Sequence, residues 1–280
     1  MSALAAVTKK ISVIPIHLCN NFRVPSVTAK SLATLSHITD GRIELFYDYG
    51  WRNAEFDAYG GEYGGSEEER IELMGEGIEV IEGMLTSESF SYDGKHYVVK
   101  DAVCNPLPVR KMPIWMGEAN HSHMVTHIVR HADVFNSMPC SPEGFDKKLV
   151  VLEAECQKQG RPMEGLGLSL ETQILIRETD EEIDYEFESY AALRTRNDSF
   201  DVDILEQLQK TNPGLQGYNS KEDFLDEFMI VTPDVITQKI QSFIEKGVTH
   251  FMFWFMDFPS CKGIDLRRSG NAKIQANEWS

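Results

Sequence analysis

Residues 11–47 read ISVIPIHLCNNFRVPSVTAKSLATLSHITDGRIELFY, and their pattern decides the fold class. Ile11 to Leu18 (ISVIPIHL) is a continuous run rich in β-branched residues, as suits a strand buried on both faces. Pro25 to Ile38 reads as a helix that turns Ala29, Leu32, Ala33 and Leu35 toward a core, and Asp40-Gly41 stops it. Ile43 to Tyr47 is the next strand. Strand, helix, strand in this order is the repeating unit of a parallel α/β fold.

The same alternation continues outward. Ser66 to Leu85 is the clearest helix, with a capping box from Ser66 and Glu69 and an apolar stripe of Ile71, Met74, Ile78, Ile81 and Leu85. Phe90 to Val99 reads as a hairpin turning at Asp93-Gly94. Pro113 to Gly117 is a short strand, a helix follows through His131, and Ala132 to Asn136 is another strand. A helix runs from Ser141-Pro142 to Gly160, a strand lies in Leu166 to Ile176, and a helix runs from Thr232-Pro233 to Gly247. His250 to Asp257 (HFMFWFMD) reads as a last strand buried in a barrel core. Between Glu178 and Ile230 the chain is acidic, helical and less regular. With no internal repeat or low-complexity linker, a single domain over 1–280 is expected, comprising a barrel over 1–266 and a polar tail over 267–280.

The fold class expected is therefore α/β, of the (β/α)8 TIM-barrel type. About six barrel-type strands are legible where a closed barrel needs eight, so the barrel is expected to be incomplete at its N-terminus. Open strand edges invite pairing with other chains. The 280-residue chain is thus expected to be poorly stable alone and to self-associate as a homo-oligomer; sizing and thermal unfolding of the purified chain measure this.

Composition excludes several classes. The net charge of −17 opposes binding to nucleic acid or to anionic membranes. The five cysteines (Cys19, Cys104, Cys140, Cys156, Cys261) show no CxxC spacing, which points away from a disulfide framework and toward a reducing cytoplasm. The start shows no signal-peptide pattern, the aromatic run Phe251 to Met256 is too short to span a bilayer, and the sequon Asn197-Asp198-Ser199 carries little weight in a cytoplasmic chain. No G-x-S-x-G or Walker loop is present. His123, His127 and His131 share a helix face, but the first and third lie about 12 Å apart and cannot bind one ion; a polar outer face is expected, with no metal.

Three ordered stretches carry a family resemblance. Cys19 to Trp51 holds an F-R-x-P helix start, an L-x-x-x-S strand entry and a Gly-Trp ending; Asp101 to Asn136 holds AVCNPLPV, PIWMG and ADVFN; Val248 to Pro259 reads VTHFMFWFMDFP. Together they resemble the luciferase-like monooxygenase family, in its subgroup of FMN- or deazaflavin (coenzyme F420)-dependent oxidoreductases. Where that family carries G-x-G-W, this chain has Asp48-Tyr49-Gly50-Trp51, and the Gly-rich turn after PIWMG reads Glu118-Ala119-Asn120.

The resemblance implies redox chemistry on a bound FMN or coenzyme F420, either monooxygenation or hydride transfer with a small organic substrate; the residues do not separate the two. It places function on the loops after the carboxyl ends of strands. His17 and Leu18 are expected to back the flavin ring, in some members through a strained peptide bond. Tyr49, Gly50, Trp51 and Asn53 follow the next strand, and Gly50 could let a flat ring approach the backbone. Gly117, Glu118, Ala119 and Asn120 precede a helix whose free N–H groups could hold a cofactor phosphate, with the Glu118 side chain turned away. No acid–base residue is assigned. The alternative is a non-catalytic remnant or pairing subunit of such an enzyme.

Overall fold

The computed structural model describes residues 1–50, 53–59, 65–118, 121–186, 228–257 and 260. The sequon at Asn197, Cys261 and the polar tail lie outside them. The chain divides into two compact units, one of 1–136 with 151–167 and one of 137–150 with 168–280.

The first unit is built on parallel strands. After helix α1 (Ser2–Val7), the Arg42 guanidinium donates to the carbonyls of Ala5, Thr8 and Ile11 and ties this segment down. Val13 bridges Ile43, and strand β1 (Leu18–Cys19) pairs with β2 (Leu45–Asp48). The run Ile11 to Leu18 is thus not one continuous strand. Pro15 has no N–H to give a ladder, and Ile11 and Ile16 are exposed rather than buried. Between β1 and β2 runs α2 (Pro25–Thr39), which opens on Pro25 and ends at Asp40 and Gly41, both at positive φ. The Arg110 side chain fills the space a side chain on Gly41 would need and donates to its carbonyl, which seats the N-P-x-P-V stretch beside α2.

A short helix α3 (Asn53–Tyr59) precedes α4 (Glu67–Thr86). The expected capping box is present: Ser66 Oγ accepts from the Glu69 amide, and the Glu69 carboxylate accepts from the Ser66 amide. Its buried stripe holds Ile71, Met74, Ile78 and Ile81, with Met84 rather than Leu85 closing it. The hairpin β3 (Phe90–Asp93) and β4 (Val98–Ala102) turns through 94–97 rather than at Asp93-Gly94 alone. Its wider loop is shaped by Glu76 of α4, whose carboxylate accepts the amides of Lys95, His96 and Tyr97 at 2.8–3.0 Å. β5 (Ile114–Met116) pairs with β2, and β6 (Val134–Ser137) pairs with β5, both parallel. Asp133 links them: its amide donates to Ile114 O, its carboxylate accepts from the Ile114 amide, and Lys111 pairs with the same carboxylate. Helix α5 (Ser122–His131) connects β5 to β6.

Helix α6 (Pro142–Gln159) contains the boundary between the units. In the second unit β7 (Gly167–Ile176) pairs parallel with β8 (Met229–Val231) and with β9 (His250–Phe255). Sequence reading passed over β8 because three residues carry no period. Helix α7 (Pro233–Glu245) joins β8 to β9, and Gly247 at φ 93° makes the turn. Phe243 of α7 packs edge-on against Phe145 of α6 at 5.7 Å. β9 departs from the expected buried core strand. Its phenylalanines are only half-buried and Trp254 is 56% exposed.

Beyond the carboxyl ends of β7 and β9, Arg177 is the bulkiest fully buried side chain among the described residues. Its guanidinium donates to Ile176 O at 2.7 Å and pairs with Asp257 and Glu186, each at 3.1 Å. Removing one partner of a buried ion pair strands the other charge. Asp257→Ala is therefore expected to lower unfolding stability by about 3 kcal/mol, and Arg177→Met with Asp257→Leu together by clearly less. Chemical denaturation of the variants measures both.

Candidate cofactor-binding site

Alternation along the strands decides which side chains meet. Tyr47 is fully buried, and its phenol donates to Asn20 Oδ1. Both atoms occupy the space a side chain on Gly77 of α4 would need, so the Tyr47 face of β2 is the helix-covered face. Successive residues of a strand point to opposite faces. Phe46 and Asp48 therefore lie on the other face, and the register Cys19↔Asp48 and Phe46↔Trp115 puts Cys19 and Trp115 there too. Glu44 joins them, its carboxylate accepting from the Trp115 indole N–H at 2.7 Å. Two residues past Trp115 this face reaches Gly117.

Some of the residues singled out in the sequence lie along this edge. His17 and Leu18 are half-buried at the entry to β1; the His17 ring stands edge-on to Phe46 at 4.2 Å, and the Ile16–His17 peptide is cis. Gly117, followed by a cis peptide to Glu118, stands at the end of β5. The register sets His17, just before β1, level with Phe46 of β2, while Gly117, just after β5, is level with Asp48 at the carboxyl end of β2. Asn53 opens α3, while Trp51, Ala119 and Asn120 lie outside the described residues.

Two expectations change in meaning. Gly50 has φ 80°, and a side chain there would strike Cys19 Sγ and the Phe56 ring, both 2.5 Å from the ideal Cβ position. Packing beneath the loop therefore already requires glycine here. Tyr49 does not extend the inner face either; its phenol donates to Glu67 Oε1 at 2.6 Å, and burial together with that carboxylate pushes its pKa up.

Sequence reasoning missed Asp48, whose carboxylate accepts the Gly50 amide at 2.5 Å. Burial pushes its pKa up, while electrostatic interaction with His17 and the Gly50 N–H act in the opposite sense. Burial also raises the Cys19 thiol. The signal was present as the lost glycine of the G-x-G-W pattern, but only the register shows that Asp48 stands beside β1.

Helix α5 starts at Ser122, one residue after the His121 ring, which accepts the His123 amide. The N-terminus of α5, where the macrodipole favours an anion, follows Gly117 by five residues in the chain. The helix histidines do not form a polar outer face. His127 packs where Gly75 of α4 leaves room, its ring stacks on His131 at 6.0 Å, and His131 Nδ1 meets Glu82 at 2.7 Å. Among the described residues no group of three or more His, Cys, Asp or Glu could hold a metal ion.

A family model described as luciferase-like monooxygenase matches residues 1–250. The chain belongs to this family. It is 28% identical over 181 residues to an FMNH2-dependent dimethylsulfone monooxygenase of Pseudomonas putida, covering 64% of this chain and 48% of that protein. To the enzyme of the same description from Pseudomonas fluorescens it is 25% identical, over 91% of this chain and 71% of the relative. A pyrimidine monooxygenase of Stutzerimonas stutzeri matches at 26%, over 69% of this chain and 53% of the relative. The chain thus spans about half the length of two of these relatives.

Among solved structures, an F420-dependent secondary alcohol dehydrogenase in complex with an F420-acetone adduct superposes with a TM-score of 0.77 at 17% identity, covering 96% of this chain and 81% of that one. A coenzyme F420-dependent tetrahydromethanopterin reductase from Methanopyrus kandleri gives 0.74 at 20% identity, over 98% and 85%. These likenesses show the fold, α/β of the TIM-barrel type.

Two measurements follow from the site's packing. A side chain at Gly117 would lie 2.6 Å from the backbone oxygen of Asn136 on β6. Gly117→Ala is expected to cost about 1–3 kcal/mol, seen as an earlier denaturant midpoint. Burial, followed by the charge of His131, lowers the His127 pKa from 6.5 to about 4. The unfolded chain then takes up a proton on this residue near pH 6.5, which the folded chain refuses until about pH 4. Stability is expected to fall with decreasing pH across that window, and His127→Gln to flatten the slope in thermal melts.

Proposed function

We propose that this chain is the catalytic part of a flavin-type oxidoreductase that works with reduced FMN or coenzyme F420 on a small organic substrate. The observation that carries the reading is that β1, β2 and β5 are parallel neighbours, with His17 beside Phe46 of β2 and with the Asp48–Gly50 loop and Gly117 at adjacent carboxyl ends of β2 and β5, in a chain of the luciferase-like family. In barrels of this type the chemistry sits on these loops.

The residues present fit such a group. The half-buried His17 and Leu18 offer an edge against which a ring can lie. The first turn of α5 offers backbone N–H groups to a phosphate without requiring a cationic side chain. Glu118 is half-buried beside that turn, so its carboxylate must point away from a bound phosphate. When bound, the cofactor supplies the redox chemistry, while the protein binds, orients and excludes water. Leu18 and His17 would back the ring, and the segment from Gly117 to Asn120 would hold the phosphate, with Tyr49, Gly50 and Asn53 shaping the loop between them.

We further infer a cytoplasmic homo-oligomer acting as one functional domain over 1–280, with no nucleic-acid partner. The free thiols of Cys19, Cys104, Cys140 and Cys156 suit a reducing compartment, and the charge of −17 repels phosphate backbones. No described helix is long and apolar enough to cross a membrane.

Anaerobic titration with reduced FMN and with coenzyme F420 tests the reading. Micromolar binding of one of them is expected, followed by turnover in a panel of dimethylsulfone, pyrimidine and secondary-alcohol substrates. Binding of neither cofactor would instead support the non-catalytic remnant. A crystal of the complex with ring and phosphate seated away from His17 and Gly117 would refute the placement.

A further inference from the structure

Arg70 of α4 carries a charge that nothing described so far balances. The residue is only 8% exposed, and a guanidinium cannot shed its proton to escape burial. Nη1 donates to the Gly65 carbonyl at 3.2 Å, and the group lies over the Phe56 ring, 5.6 Å from its centre. Nε is buried without a hydrogen-bond partner, and no carboxylate pairs with Arg70 among the described residues. The three acids that precede it in α4 are exposed and engaged elsewhere: Glu67 by the Tyr49 phenol, Glu68 by His121 at 3.5 Å, and Glu69 by the Ser66 amide. A carbonyl and a ring face replace only part of the hydration that the cation loses. The dipole of α4 adds to the cost, because Arg70 stands near its positive end. Arg177 shows the contrast, since its buried guanidinium pairs with both Asp257 and Glu186.

The charge lies close to the loops that follow β1 and β2. The Phe56 ring beneath it is the one that underlies Gly50, 2.5 Å from the ideal Cβ position there. Phe56 stacks on Phe22 at 4.9 Å, and Phe22 ends the single turn Asn20–Phe22 after β1. Burial and Glu67 push the Tyr49 phenol up, and Arg70 acts on it in the opposite sense, which sets the cation beside the residue next to Gly50. Two aromatic rings and an unbalanced buried cation thus meet behind these loops.

We propose that Arg70 binds the acidic group of a small organic anion, a carboxylate or sulfonate whose apolar part lies against Phe22 and Phe56, and that the substrate is such an acid. The anion site stands on the buried charge and its surroundings. That its occupant is the substrate rests on the function proposed above. Nε and Nη2 form the edge of a guanidinium that can donate to two oxygens of one acid side by side. With the acid in place the buried charge is balanced, and the dipole of α4, which opposes the cation alone, attracts its partner. Arg70 is then a residue of binding and specificity that takes no part in the redox step.

The test uses the full chain and begins without cofactor. Sodium sulfate and sodium acetate are titrated at constant ionic strength, with sodium chloride as the control, and the Arg70 Nε–H resonance is followed by 15N NMR, assigned by its absence in Arg70→Lys. The resonance is expected to move saturably with sulfate or acetate and not with chloride, and the unmodified chain to melt higher in the anion that binds. Arg70→Met is expected to bind that anion at least about tenfold more weakly, the size of lost hydrogen bonds to a charged group. In buffer without either anion it is expected to melt no lower than the unmodified chain, because it removes an unbalanced buried charge. A residue that served only to clamp Gly65 and Phe56 would melt lower on the same change. With cofactor present, an organic acid is expected to be turned over with a kcat/KM at least about tenfold above that of its methyl ester, through KM, and Arg70→Met to lose that preference. If Arg70→Met does not fold, the resonance of the unmodified chain and the melting of Arg70→Lys carry the test. A resonance indifferent to both anions, or an undiminished sulfate response in Arg70→Met, would overturn the anion site. Sulfate that displaces the cofactor would give the anion to the cofactor and overturn the substrate assignment. Binding of neither cofactor by a chain whose resonance still responds would overturn the proposed function and leave the anion site standing.

Discussion

The phenol of Tyr47 donates to the amide oxygen of Asn20, and both fit against α4 only because residue 77 is glycine. A buried amide and a buried phenol must satisfy one another or lose the hydrogen bonds they had with water. Asn20 is further committed to Asn21 and Tyr97, so the cluster ties β1, β2, the hairpin and α4 together. Burial pushes the Tyr47 phenol well above its ordinary pKa, which keeps it a donor. Once Tyr47 faces the helix layer, its neighbours along β2 must face away. The direction of Asp48, the packing of Phe46 against His17 and the position of Gly50 all follow from that choice of face, because a one-residue slip would reverse it.

Among the described residues, carboxylates are prominent along the inner edge of the first unit. Glu44 and Asp48 line β2, Glu118 follows β5, and the chain as a whole is strongly anionic. Under the function proposed here, an anionic cofactor at this edge would be held by groups that carry no full charge, such as backbone amides and the first turn of α5, since fixed dipoles keep their orientation whatever the ionisation around them. α5 in turn is held against α4 by the His127 ring, which packs where Gly75 leaves room, and by the pairs of Arg130 with Glu79 and His131 with Glu82.

Much of the fold was legible in the sequence because local chemistry and tertiary structure agree there. Ser66 and Glu69, Asp40 and Gly41, Pro142 and Gly160 mark helix ends by hydrogen bonds and backbone angles that need no distant partner. The departures arise where a distant group decides. Glu76 reaches across to widen the hairpin turn, and Pro15 interrupts a run that looks continuous in hydrophobicity. HFMFWF has the composition of a core strand, yet composition does not say how much of a strand is covered. In the site, His17 and Gly117 were legible from the family pattern. The surroundings of Asp48 were not, since its neighbour lies on another strand, nor was the packing of Cys19 and Phe56 beneath Gly50.

Helix α4 carries the best N-terminal cap described in the chain, yet it also holds Gly75 and Gly77 in its interior, each of which weakens an isolated helix by about 1 kcal/mol relative to alanine. The two glycines are dents for separate neighbours, His127 on one side and Asn20 with Tyr47 on the other. The helix is consequently a poor autonomous unit, and its order is borrowed from partners that arrive from both directions along the chain. During folding, α4 should consolidate only after β1, β2 and α5 have docked, so the most recognisable helix in the sequence is not the one that nucleates the fold.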